Sequence, residues 1–312
     1  MQTILGANGQ IADELAKELK RIYTSDIRLV SRNPKKINAT DLLLSANLMD
    51  AAKTDEAVKG SEIAYLTVGL PMDTKSMANQ FPVIMRNVIE ACKNHNTKLV
   101  FLDNTYMYPQ NDRELTEDSE FAPVGQKGTV RKIVTSMLLE EMRLKQIEAV
   151  ICRAPEFYGP GKTQSITNTM IFENIKKGKK LIVFLKDNVF RTLIWTPDAS
   201  KAMALIGNTP DAYNKTWHLP CDDNRLTYKQ FIDLASNISG KKLKYSIISK
   251  STLKAGAIFS KRLRELQEIL PRYEHDNIFD SSKFKHRFPE FFITTYYQGI
   301  EQILNEQKTT KR

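Results

Sequence analysis

At 312 residues, with 41% apolar and 26% charged side chains, the chain has the makeup of a globular protein of one or two domains and not of a disordered or fibrous one. No apolar run approaches the roughly 18 residues needed to span a bilayer. Three cysteines (Cys92, Cys152, Cys221) and four scattered histidines form no metal-ligand spacing, which argues against a disulfide framework or a zinc centre.

The net charge of +10 is unevenly spread. Residues 1–150 hold 19 Lys and Arg against 20 Asp and Glu, whereas residues 241–312 hold 15 against 8. Positive charge therefore collects where a substrate or partner would sit. Without a recognised binding motif, nucleic acid is a weak expectation and a membrane partner is not expected. A strand beginning almost at Met1 leaves no room for a signal peptide, so a reducing cytoplasm is the expected location.

In chain order, Thr3-Ile4-Leu5 reads as a short apolar strand that stops at Gly6. A turn through Ala7-Asn8-Gly9 follows, and a helix with Ile11, Leu15, Leu19 and Ile22 at helical spacing begins. Glycines at that point allow a tight turn and close backbone approach to a pyrophosphate, which rests on the N–H groups of the helix start. Ile27–Ser31 is a second strand, Leu42–Leu44 a third, Glu62–Val68 a fourth. A helical pattern runs from Ser76 to Asn94, a fifth strand from Lys98 to Asp103, a helix from Thr129 to Lys145, and a sixth strand from Glu148 to Arg153. Near-continuous apolar strands separated by helices mean a parallel sheet covered on both faces, with ligands at the carboxyl ends of the strands. The second half is less regular. It carries helical patterns near Thr167–Lys176, Pro197–Ile206, Tyr228–Ile238 and Ser251–Leu270, and strands near Leu181–Leu185 and Leu243–Ile248. Gln307 to Arg312 are expected to be loose.

The fold class is thus α/β, a Rossmann-type doubly wound parallel sheet with a smaller mixed α/β C-terminal substrate domain. The expected division is residues 1–155 for nucleotide and 156–312 for substrate, with about 188–208 returning to the first part.

Three further stretches resemble the short-chain dehydrogenase/reductase superfamily, in its extended epimerase/dehydratase-like branch. Arg153-Ala154-Pro155-Glu156-Phe157-Tyr158-Gly159-Pro160-Gly161 is similar to R-P-x-N-V-Y-G-P-G. Trp195-Thr196-Pro197-Asp198-Ala199-Ser200-Lys201-Ala202 is similar to the V-D-D-V-A-x-A helix start. Phe279-Asp280-Ser281-Ser282-Lys283 with Tyr297-Gln298-Gly299-Ile300 is similar to D-x-S-K followed by G-I.

The resemblance implies that Gly6, Asn8, Gly9, Gln10 and Ile11 cradle a pyrophosphate. It places Asn47 and Leu48 by the adenine, Thr67, Val68 and Gly69 along the cofactor, and Pro155 near the nicotinamide. Members that choose NAD have an acidic residue at the end of the second strand; here stand Ser31 and Arg32, with Lys35 and Lys36 behind. Arg32 could pair with a 2′-phosphate, so NADP is expected ahead of NAD.

Active relatives use Tyr-x-x-x-Lys plus an upstream Ser or Thr. Lys132 is taken as the lysine, which leaves Gly128 at the tyrosine position, and Asn104 falls at the Ser/Thr position. Thr105-Tyr106 replaces the Asp-Glu of dehydratases, which argues against sugar dehydration by a carboxylate pair. The catalytic set expected is therefore Asn104 polarising the substrate oxygen, Tyr106 as proton donor and Lys132 orienting the ribose. Glu156 and Arg191 are candidate substrate contacts, Arg191 for an anionic group. The reaction implied is hydride transfer to or from a carbonyl or hydroxyl of a small molecule. Gly128 keeps open a non-catalytic NADP(H)-binding or redox-sensing protein. No metal is expected. A monomer and a homodimer are both compatible with the pattern. His218 and Cys152 are read as structural.

Overall fold

A computed structural model describes residues 1–161, 163 and 165–309. The first half alternates as the periodicity predicts: β1 (Gln2–Leu5), α1 (Gln10–Ile22), β2 (Ile27–Ser31), β3 (Leu42–Ser45), α2 (Ala51–Val58), β4 (Ile63–Leu66), α3 (Thr74–Asn94), β5 (Lys98–Asp103), α4 (Gly125–Arg143) and β6 (Ala149–Arg153). The second half supplies β7 (Glu156–Tyr158), α5 (Glu173–Lys176), β8 (Leu181–Phe184), β9 (Phe190–Arg191), β10 (Leu193–Trp195), α6 (Thr196–Gly207) and β11 (Lys215–His218). It continues with β12 (Leu226–Thr227), α7 (Tyr228–Ser239), β13 (Tyr245–Ile248), α8 (Lys250–Phe259), α9 (Lys261–Leu266), α10 (Ser282–Arg287) and α11 (Tyr296–Thr309).

One seven-stranded sheet, all parallel, runs in the order β11-β6-β5-β4-β1-β2-β3. Chain order reverses between β1 and β4, so the crevice at their carboxyl ends is the topological switch point. α6 packs on α1 on one face of the sheet. β11 adds the seventh strand, so the second half gives the sheet more than the sequence pattern indicated. α2, α3 and α4 cover the other face through Val88, Met85, Val134 and Leu138. A third cluster of Tyr158, Phe172, Trp195, Phe231 and Tyr296 forms the core under β7, α7 and α11.

Three boundaries differ from the expected ones. α4 starts at Gly125, not Thr129, because Gly125 takes a positive φ of +73°. The turn there closes on the Glu268 side chain, which receives the Lys127 amide and so starts the helix a turn earlier. The single helix expected over Ser251–Leu270 breaks at Ser260, whose extended backbone ends α8 and whose hydroxyl caps α9 at the Leu263 amide. Gln307 is not loose: it lies in α11 and its amide donates to the Phe172 carbonyl at 3.1 Å. Residues 310–312 of that expected tail lie outside the described residues.

Candidate functional site

The switch-point crevice is shaped by backbone. Gly6 sits at φ +106°, and a Cβ there would stand 2.7 Å from the Val68 amide nitrogen, so only glycine lets the β1 turn pass β4. Gly9 and Gly69 are open: a Cβ on Gly9 would meet nothing nearer than 3.8 Å, and one on Gly69 nothing within 4 Å. Asn8 adopts φ +75° and binds the end of β2, donating to Ser31 Oγ at 3.2 Å and to the Asn33 carbonyl at 2.7 Å while accepting from the Lys35 amide at 3.0 Å. This turn holds Arg32, Lys35 and Lys36 at the corner, with no carboxylate beside them in the β2 turn. Thr67 is buried against the Leu5 carbonyl, and Val68 packs beside Gly6. Ile11 is half-buried against the α1 core. Gln10 reaches across to the Pro160 carbonyl, pinning the start of α1 to the loop after β7. Asn47 is exposed after β3, while Leu48 is buried and its carbonyl accepts from Asn87 at 2.9 Å. Pro155 is buried after β6.

A second set of groups meets at the end of β5. Asn104 Oδ1 accepts from the Tyr106 amide at 3.0 Å. That bond fixes the side-chain amide with its NH2 turned outward as a donor. Tyr106 is half-buried, its ring 5.4 Å from the Arg272 guanidinium, and it shares a wall with Thr105, which accepts from Arg272 at 3.2 Å.

From α4 the inward side chains are Lys127 and Arg131, four residues apart. The expected lysine, Lys132, is exposed and makes no hydrogen bond or ion pair among the described residues. It stands one helix position from Arg131, which is about 100° of rotation away from the inward face. Gly128 fixes this register: a Cβ there would lie 2.6 Å from the Tyr106 carbonyl. No side chain fits at 128, so its glycine reports packing and says nothing about lost catalysis.

Arg131 lies 3.6 Å from Asp103 and over the Phe81 ring at 4.1 Å, and its Nε and Nη1 are buried without hydrogen-bond partners among the described residues. Burial lowers its pKa while Asp103 opposes that. Lys127 is fully engaged, donating to Thr74 Oγ1 (2.6 Å), the Glu265 carboxylate (2.6 Å) and the Glu265 carbonyl (2.9 Å). Glu268 accepts from the Lys127 amide at 2.8 Å. The segment through α9 is thereby latched onto α3 and α4, with Leu266, Ile269 and Leu270 packed on Met72 and Tyr106.

Two buried networks stiffen the floor. Asp103 accepts from Thr135 at 2.7 Å and pairs with Arg153 at 3.4 Å, and Arg153 donates to the Tyr108 hydroxyl. His218 lies 2.9 Å from that hydroxyl and 2.6 Å from the Asp280 carbonyl, stacked on Phe279. Burial, helped by Arg153, takes its pKa down to about 3. The neutral ring donates from Nδ1 to the carbonyl, which leaves Nε2 as an acceptor facing the Tyr108 hydroxyl, whose one proton also lies within 2.9 Å reach of the Thr116 carbonyl. Burial also pushes the Tyr108 hydroxyl up to about 12, despite Arg153, so it serves the scaffold. Burial raises the Cys152 thiol as well, in keeping with an inert side chain in β6.

Glu156 and Arg191 meet each other. Glu156 accepts from Arg191 (3.2 Å), Tyr273 (3.1 Å), Thr167 (2.6 Å) and Tyr228 (3.2 Å). Burial would raise its pKa, but Arg191 and Arg272 hold it below the usual value. Arg191 also donates to the Arg272 carbonyl, and both members of the Glu156–Arg191 pair have buried side chains.

The model of the NAD-dependent epimerase/dehydratase family matches residues 3–219, about two thirds of the chain. The chain belongs to that family. As an NAD-dependent epimerase/dehydratase family member it is an enzyme of the short-chain dehydrogenase/reductase type built for hydride transfer with a nicotinamide dinucleotide, and a non-catalytic sensor is not favoured. UDP-glucuronic acid 4-epimerase from Bacillus cereus in complex with NAD shares the fold at TM-score 0.80 and 14% identity, with 100% of each chain covered. UDP-glucose 4-epimerase of Thermus thermophilus, also an NAD complex, aligns at TM-score 0.77 and 13% identity over 99% of each chain. No curated protein matches the sequence. Arg131 and Arg272 stand at this candidate site, and sequence reasoning did not single them out. The inward i, i+4 pair of α4 was the available signal for Arg131. Arg272 carries no local signal, since its position depends on how the second half docks. Among the described residues, no helix is long and apolar enough to cross a membrane.

Proposed function

We propose that this epimerase/dehydratase relative binds NADP(H) in the β1–β4 crevice and oxidises or reduces a carbinol or carbonyl carbon held beside Tyr106. The observation that carries it is Arg131: two buried guanidinium nitrogens without hydrogen-bond partners among the described residues, one of them 3.6 Å from Asp103 at the carboxyl end of β5, fit the hydroxyls of a nicotinamide ribose. The bare backbone at Gly9 and Gly69 fits a pyrophosphate. Bound there, the nicotinamide supplies the hydride acceptor or donor. Gly6, Asn8, Gly9, Gln10 and Ile11 hold the turn, Thr67 and Val68 line it, and Asn47 and Leu48 flank the adenine. Ser31 and Arg32, with no acidic residue at the β2 corner, favour a 2′-phosphate and hence NADP over NAD.

At the reacting end, Asn104 donates its amide NH2 to the substrate oxygen and Tyr106 moves the proton. Arg131 does what Lys132 was expected to do: it holds the ribose. Glu156 and Arg191 act as one neutralised pair that positions the wall with Tyr273. The two solved neighbours are epimerases of nucleotide sugars, and a small, anionic substrate is compatible with the surplus positive charge of the second half.

Titration of NADPH and NADH by fluorescence, followed by loss of NADPH absorbance with a panel of carbonyl substrates, tests this reading. It predicts tighter binding of NADPH, and turnover that Tyr106→Phe lowers at least ~100-fold without changing NADPH affinity. No dinucleotide binding, or full turnover in Tyr106→Phe, contradicts it.

A further inference from the structure

One pocket opens directly beyond Tyr106. Thr105, Tyr106, Gln110, Ile269, Arg272 and Asn277 line a narrow cleft.

Three features of its walls specify an occupant. The first is charge. Arg191 and Arg272 both act on Glu156, so two guanidiniums face one carboxylate. Arg191 is buried, with Nη2 on Glu156 and Nη1 on the Arg272 carbonyl. The surplus positive charge therefore resides on Arg272, which is half-exposed on the pocket wall and tied to it through Thr105. The second is a pair of acceptors. Gln110 Oε1 and Asn277 Oδ1 are buried without a partner among the described residues. The Gln110 amide end is fixed by its bond to the Glu268 carbonyl at 3.4 Å, and the Asn277 main chain is held by Phe190 and Thr192. A buried acceptor left unpaired costs on the order of 1–3 kcal/mol, so both await donors. The third is what the pocket lacks. Arg272 is the one cation among the lining residues, so the charges of a diphosphate would meet a single guanidinium.

We infer that this pocket binds a small hydroxylated monocarboxylate, its carboxylate on Arg272 and its hydroxyls on Gln110 and Asn277, and not a nucleoside diphosphate sugar. The inference rests on the proposed reaction only for the claim that this ligand is the substrate; the binding chemistry stands on the pocket itself.

Calorimetric titration of the NADP+-saturated enzyme with lactate, glycerate, threonate and D-gluconate, against glycerol, D-glucose and UDP-glucose, tests it. At least one acid binds at least ~tenfold more tightly than its neutral counterpart and than UDP-glucose. Arg272→Met removes that advantage while leaving NADP+ affinity unchanged, and Asn277→Ala weakens the same acid several-fold. The inference is overturned if no acid exceeds its neutral counterpart, if Arg272→Met retains the preference, or if UDP-glucose binds best. Acid binding by a protein that takes up no dinucleotide would refute the enzyme reading and leave this pocket standing. NADP+ binding with no acid binding would refute the pocket alone.

Discussion

Gly6, Asn8 and Gly9 build the switch-point crevice from one turn, and their partners Ser31, Lys35 and Val68 lie on or just after the strands that flank it. The corner at Tyr106 is made differently. It draws on Thr74, Asn104, Lys127, Arg131, Glu265, Glu268 and Arg272, brought together from separate elements of both halves. The crevice is therefore a local backbone shape, robust to how the second half docks, whereas the corner exists only while α9 stays latched on α3 and α4. Substitutions should strike the two regions differently for that reason.

The largest effect is expected on the assembled side. Glu156→Gln leaves Arg191 buried without a counter-charge and is expected to cost about 3–5 kcal/mol of stability, read by urea unfolding. A cost under about 1 kcal/mol would mean that the pair is not sealed from water. On the local side, Gly6→Ala forces a Cβ against Val68 and is expected to weaken NADPH binding at least ~100-fold. Unchanged affinity would show that the turn can yield.

The corner itself is split next. Tyr106→Phe should lower turnover ~100-fold or more, the usual scale for losing a proton donor, whereas Lys132→Ala should stay within about twofold of wild type. The reverse ranking would return the site to the helix face first expected from the sequence.

A smaller effect probes the floor beneath both regions. His218 stays neutral in the fold down to about pH 3, while the unfolded chain protonates it near 6.5. Between those values the unfolded state binds the extra proton, so stability falls as pH falls. The slope from this group is about 1.4 kcal/mol per pH unit below the unfolded-state pKa. His218→Gln should flatten it in unfolding curves at pH 5 and pH 7, and an unaltered slope would assign the acid sensitivity elsewhere. A comparably modest change is expected at Arg32→Ala, which should cost about tenfold in NADPH affinity and nothing in NADH affinity.

The strands, the first turn and the alternation of the first half were legible because each is written in consecutive residues: apolar runs for β1, β2, β4, β5 and β6, and glycine with Asn8 at positive φ between β1 and α1. The register of α4 was not. Its face is decided by the Gly128 contact with the Tyr106 carbonyl, a meeting of distant positions that no periodicity encodes. Arg191 looked like an open cation because Glu156, 35 positions away, neutralises it only after β7 and β10 pair in parallel. Arg272 was invisible for the same reason. Its role depends on a short helical turn docking over β5.

The most direct test is a side-by-side NADPH titration of wild type, Arg131→Met and Lys132→Ala. If Arg131 holds the ribose, Arg131→Met binds at least ~tenfold more weakly and Lys132→Ala is unchanged. Loss of affinity in Lys132→Ala with Arg131→Met unaffected would contradict that assignment.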